Sequence, residues 1–147
     1  MKSISTRQVT QKILFVVAAA SVIFCFNSCA KKIMFLTSSV VPAAEGTVKI
    51  TKDNNKNYHI KISLSNLAAP NRLQPSKSMY VVWMETNNNP TKNIGQINTS
   101  TGLFGGKLKS SFETVSSSKP TKIFLTAEDD AGVQNPGTQV VLSTESF

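Results

Sequence analysis

The ten residues YHIKISLSNL, Tyr58 to Leu67, constrain the fold more than any other stretch of the chain. Tyr58, Ile60, Ile62 and Leu64 alternate with His59, Lys61, Ser63 and Ser65. A period of two puts apolar side chains on one side of an extended backbone and polar ones on the other, which a helix with its longer period cannot do. The segment is predicted to be a strand with one dry face and one wet face. GTVKITK upstream repeats the pattern, with Val48 and Ile50 inward and Lys49 and Thr51 outward. Between them, Asp53 to Asn57 reads DNNKN, and Asn and Asp tolerate the left-handed conformations of tight turns. An antiparallel hairpin follows, with Lys49 and Lys61 sharing its wet face.

Other segments extend this pattern. MYVVWMET, Met79 to Thr86, is apolar on both faces and rich in β-formers, as a central strand should be; NNNP, Asn87 to Pro90, ends it. Further strands are expected at Asn93–Ile97, Gly106–Phe112, Thr121–Glu128 and Thr138–Ser143. Pro70, Pro75, Pro120 and Pro136 all fall between strands, where a missing N–H does no harm. Serine clusters at Ser110–Ser111 and Ser116–Ser118 read as loop. The prediction is an all-β domain over residues 46–147: a single antiparallel β-sandwich, immunoglobulin-like, with about seven strands.

The front of the chain has a different character. Lys2, Arg7 and Lys12 form a basic segment without acids, and Ile13–Phe26 carries no charge. That run is shorter than the roughly 20 apolar residues of a spanning helix and fits the core of an export signal, giving a signal peptide over residues 1–28. Both cysteines lie near its end, Cys25 within the apolar run and Cys29 just after it. Their C-x3-C spacing is not that of a redox pair, and no His or Cys cluster follows to complete a metal site. Phe26-Asn27-Ser28-Cys29 resembles a bacterial lipobox, in which the cysteine becomes the new N-terminus and carries acyl chains. Chains buried at about 0.8 kcal/mol per CH2 hold a domain to a membrane almost permanently. Cleavage after Ala30 is the competing reading, because Ser28 and Ala30 satisfy small-x-small. Residues 29–45 then form a tether or an edge strand, and the apolar run Ile33–Leu36 favours partial packing. The whole chain has a net charge of +8, which falls to +5 without Lys2, Arg7 and Lys12. A chain of 147 residues minus such a signal still buries a respectable single core.

Taken in order, AAEGTVKI, YHIKISLSNLAAP, MYVVWMETNNNPTKNIGQI and KIFLTAEDDAGVQNPGTQVVLS resemble the C-terminal extracytoplasmic domain of anti-sigma-K factors. The matching positions are Tyr80 and Trp83, Gly95 to Ile97, Thr126, Glu128, Pro136, Gly137 and Val140 to Leu142. The resemblance spans roughly residues 34–144 and implies a compact β-sandwich outside the cytoplasmic membrane. It does not imply sigma-factor binding, which members perform with a separate cytoplasmic zinc-binding domain. The 12 residues before the apolar run hold no Cys or His.

Catalytic chemistry has little to work with. His59, the one histidine, lies on the wet face of a strand, with no acid or nucleophile motif in view, and no phosphate loop or nucleophile elbow occurs. A non-enzyme without a cofactor is expected. Glu128, Asp129 and Asp130 form the one acidic cluster. Such carboxylates suit calcium, but their spacing matches no EF-hand loop and a solvated turn explains them. Trp83 stacks on a ligand if exposed; beside Tyr80 on a central strand it belongs to the core or covers a sheet face. The lysines suit anionic headgroups or another polyanion, and export argues against nucleic acid. The expected function is a lipid-anchored, non-enzymatic module of the bacterial envelope that contacts the membrane through Cys29 and an envelope protein or polyanion through its surface. The alternative is a calcium- or glycan-binding module. Ala30 rather than Asp after the cysteine suggests the outer membrane, facing the periplasm.

Overall fold

The computed structural model describes residues 30–97 and 109–147. The signal segment, Cys25, Cys29 and the expected strand start at Gly106 lie outside the described residues. Among the described residues there are eight strands: β1 Lys31–Met34, β2 Glu45–Lys52, β3 Tyr58–Ser65, β4 Met79–Glu85, β5 Lys92–Ile97, β6 Lys109–Ser116, β7 Lys122–Glu128 and β8 Val140–Ser143. They form two antiparallel four-stranded sheets, ordered β1-β2-β3-β6 and β5-β4-β7-β8. The β-sandwich expected from the alternating pattern is thus present, with eight strands rather than about seven. In constant-type immunoglobulin domains the second strand lies beside the fifth; here β2 lies beside β1 and β3. The chain has the two-layer architecture without that strand order.

The core follows from the alternation. Val48 of β2 and Ile60, Ile62 and Leu64 of β3 point inward against Tyr80, Val82 and Met84 of β4 and Ile123, Leu125 and Ala127 of β7. β2 and β3 pair along their full length, from Glu45 opposite Ser65 to Lys52 opposite Tyr58. The Asp53–Asn57 turn closes this hairpin, and Lys56 takes a left-handed φ of 67°. An edge strand is present in the region expected to be a tether or an edge strand: β1 pairs with β2, and Ile33 and Phe35 pack on the core. The chain then crosses layers, Phe35 N–H donating to Gly46 O in the first sheet and Leu36 N–H to Ser143 O in the second.

Two local expectations need correction. β6 continues to Ser116 instead of ending at Phe112, and Ser110, Ser111 and Ser116 belong to it rather than to loops. An edge strand needs few apolar residues. Phe112 and Thr114 alternate inward, while Ser111, Glu113 and Val115 face solvent, and pairing with all of β3 satisfies the backbone. Serine is a weak strand former, so tertiary pairing outweighed local preference here.

β4 is central in its sheet and buried on both faces, as its composition predicted. Its second dry face has its own cover. Val81, Trp83 and Phe124 form a small cluster on the outer side of the second sheet, packed by Met79 and Val133. Val133 lies in the β7–β8 loop, which Asn93 Nδ2 holds down by donating to Ala131 O at 2.8 Å and Val133 O at 3.1 Å. The second sheet is therefore roofed, whereas the outer face of the first sheet meets solvent.

Candidate interaction face

The bare face of the first sheet carries a basic row fixed by strand register. Lys32 of β1 stands opposite Lys49 of β2, Lys49 opposite Lys61 of β3, and Lys61 opposite Glu113 of β6. All four are exposed. Like charges directly opposite one another destabilise a sheet, by a few tenths of a kcal/mol per pair in water. One carboxylate offsets three ammonium groups: Glu113 pairs with Lys61, leaving Lys32 and Lys49 without an ion-pair partner among the described residues. The shared wet face expected of Lys49 and Lys61 is present, and β1 adds Lys32 to it.

Beside the row lies a shallow groove of about 380 Å³ lined by Lys49, Thr51, His59, Lys61, Glu113 and Val115. His59 does have an acid at hand, contrary to the expectation of none: its Nε2 lies 3.2 Å from Asp53 Oδ2. The signal was local, an acid at the start of a five-residue turn that folds back on the first residues of β3. Burial pushes the Asp53 carboxyl up, but hydrogen bonds from the Asn57 N–H at 2.8 Å and from His59 outweigh it and hold the group below its ordinary value. His59 is exposed, and Asp53 is committed to its own turn. The pair works as a clasp on the hairpin.

The positions singled out by motif fall mostly on the opposite sheet. Trp83 is fully buried, so it offers no aromatic platform to a ligand. Its indole Nε1 donates to Thr126 Oγ1 at 2.7 Å, and that hydroxyl donates onward to Glu128 Oε1 at 2.6 Å. The same carboxylate oxygen accepts the Gly137 N–H at 2.7 Å. A Cβ on Gly137 would stand 2.8 Å from both Glu128 oxygens, so this close approach requires glycine. Trp83, Thr126, Glu128 and Gly137 thus form one buried relay that ties the β7–β8 loop to the sheet. Pro136 is exposed beside it. Tyr80 donates to Ala68 O at 2.9 Å, and burial pushes its hydroxyl up to about 12. Gly95, at φ 139°, packs directly on the Phe112 ring, where a Cβ would come within 2.6 Å of a ring carbon. That contact joins β5 to β6 across the sandwich.

The acidic cluster does not converge. Glu128 belongs to the relay, Asp129 Oδ2 pairs with Lys77 Nζ at 2.7 Å, and Asp130 Oδ1 accepts the Gly132 N–H at 2.9 Å. Lys77 is held above its ordinary value, mainly by its hydrogen bond to Asp129. Among the described residues no three His, Cys, Asp or Glu side chains come together as a metal site, and no helix is long and apolar enough to cross a membrane.

Compared with protein-family models, with curated proteins and with solved structures, the chain shows no match.

Proposed function

We propose that this protein is a lipid-anchored, non-enzymatic component of the bacterial envelope. In this reading its β-sandwich is an interaction module related to the extracytoplasmic domain of anti-sigma-K factors, without sigma-factor binding. The observation that carries it is the asymmetry between the two outer faces. One is roofed by the protein's own loop, while the described residues leave the other uncovered, with Lys32, Lys49 and Lys61 in register. A row of three like charges offset by a single carboxylate costs stability in the free protein, and an anionic partner relieves it. The polar groups elsewhere support the same reading, since Trp83, Glu128, Asp129 and Asp130 are each engaged within the fold. A calcium or glycan site built on Trp83 or on the acidic cluster would have to compete with those contacts.

Attachment is proposed at Cys29, two residues before β1, on the strength of the Phe26–Cys29 pattern. Growth with radiolabelled palmitate tests it. The wild-type chain should take up label and partition into detergent, and Cys29→Ala should do neither; a wild type that takes up none refutes the anchor. For the face, Lys49→Glu with Lys61→Glu should abolish crosslinks formed from that sheet in intact cells while leaving the unfolding midpoint near wild type. Unchanged crosslinking would refute the face.

A further inference from the structure

The sandwich has two poles of different charge. One is built from the β2–β3 turn, the β4–β5 and β6–β7 connections, the start of β1 and the residues after β8. These ends lie together: Phe147 N–H donates to Thr121 O, Lys31 Nζ sits 4.9 Å from the Phe147 ring centroid, and Asn89 Nδ2 reaches Ser118 Oγ at 3.4 Å. This pole carries Lys31, Lys52, Lys56, Lys92, Lys119 and Lys122, against Asp53, Glu85 and Glu145. At the far pole, the described cations are Arg72, Lys77 and Lys109, outnumbered by Glu45, Glu128, Asp129 and Asp130.

We infer that the basic pole docks on an anionic phospholipid surface, so that the strands stand on the membrane and the Lys32–Lys49–Lys61 face is presented sideways to a partner. The inference rests on the Cys29 anchor proposed above and adds an orientation to it. Three observations support it. First, Cys29 precedes β1 by only one intervening residue, and β1 starts at this pole. Two residues span about 7 Å at most, so acyl chains there leave no room for a spacer between headgroups and fold. Second, the charge has the complementary sign at this end, whereas the described residues of the other end carry one more acid than base. Third, Lys56 occupies the left-handed position of the turn, at φ 67°, between asparagines that adopt it more readily. A lysine there is a poor choice for the hairpin and a good one for a tip that meets phosphate groups.

Amine-reactivity footprinting of the full chain tests this. The protein is extracted from membranes, reconstituted into phosphatidylcholine vesicles with or without about 30 mol% phosphatidylglycerol, and acylated briefly, with site-by-site rates read by mass spectrometry. Lys52, Lys56 and Lys119 should react about fivefold more slowly on the anionic vesicles, as expected for one favourable contact per lysine, while Lys109 is unchanged. The protection should vanish near 1 M salt, where the screening length shrinks to about 3 Å. Equal rates on the two vesicle types would overturn the proposal. So would protection confined to Lys32, Lys49 and Lys61, or protection given by soluble polyphosphate and not by vesicles. The mass of the Cys29 peptide from the same preparation keeps the two ideas separate. Missing acyl groups refute the anchor alone, whereas acyl groups without the footprint refute the docking alone.

Discussion

Thr126→Val is the substitution that most directly probes how the sandwich holds its β7–β8 loop. Valine matches threonine in shape but can neither accept from Trp83 nor donate to Glu128. Trp83 is fully buried, so its indole N–H would lose its partner where water cannot replace it. An unsatisfied buried donor costs about 1–3 kcal/mol, and the lost bond to Glu128 adds about 1 kcal/mol. The extra methyl gives back about 0.8 kcal/mol if it packs. A net destabilisation of about 1–3 kcal/mol is expected from urea unfolding at neutral pH, against less than about 1 kcal/mol for Thr126→Ser, which keeps the hydroxyl. A double-mutant cycle separates the relay from simple packing. Trp83→Phe removes the donor, so in that background Thr126→Val should cost at least about 1 kcal/mol less than it does alone. A Thr126→Val protein within about 0.5 kcal/mol of wild type, or a strictly additive double variant, would refute the relay as a stabilising unit.

The other predictions concern single contacts. Gly95→Ala combines a disfavoured φ with a clash against Phe112 and should cost about 2–4 kcal/mol, seen as a lower urea midpoint. Tyr80 is raised to about 12 while an unfolded tyrosine ionises near 10, so above pH 10 the unfolded state sheds its proton first. Stability should be fully present below pH 10 and fall as pH rises to about 12, and Tyr80→Phe should flatten that fall. Asp53 has the opposite sign: its lowered value contributes stability above the ordinary 3.8 that is lost as pH falls through the folded value. Asp53→Asn should therefore show a shallower acid limb in thermal unfolding. Lys56→Asn should raise stability by about 0.5–1 kcal/mol through relief of the left-handed lysine. Full retention of the vesicle footprint at the remaining lysines in that variant would show that the tip is one contact among several.

How much of this was legible in the sequence depended on how local the cause was. The β2–β3 hairpin was readable because period-two alternation and turn chemistry act within twenty residues of each other, and Val48, Ile60, Ile62 and Leu64 all face the core as expected. β4 was readable because apolar residues on both faces have few other places to go. β6 was misplaced because its pattern, KSSFETVS, is weak in isolation and becomes a strand only when β3 offers it a full register. The site followed the same rule. Lys49 and Lys61 belong to one hairpin, so their common face was predictable, whereas Lys32 joins them through a pairing between β1 and β2 that no local signal specifies. Glu128, Asp129 and Asp130 look like one cluster along the chain. On a strand end and the turn after it, three successive side chains diverge, and each found a different partner.

That divergence bears on what the protein is built to do. A carboxylate buried beside a tryptophan is an expensive way to hold down a loop, since it must be desolvated and then satisfied by Thr126 and Gly137. The arrangement makes sense if the loop must stay closed over Val81, Trp83 and Phe124, because opening it would expose a large apolar patch on the second sheet. Closing one face leaves the other as the only extended sheet surface available among the described residues, and that surface carries lysines in direct opposition. Glu113 could have been joined by further acids at Ser63 or Ser111 to neutralise the row, and neither position supplies one. The stabilising and destabilising choices therefore lie on opposite sheets. The second sheet is sealed by interactions the fold needs, and the first keeps a charge pattern that the fold would be more stable without.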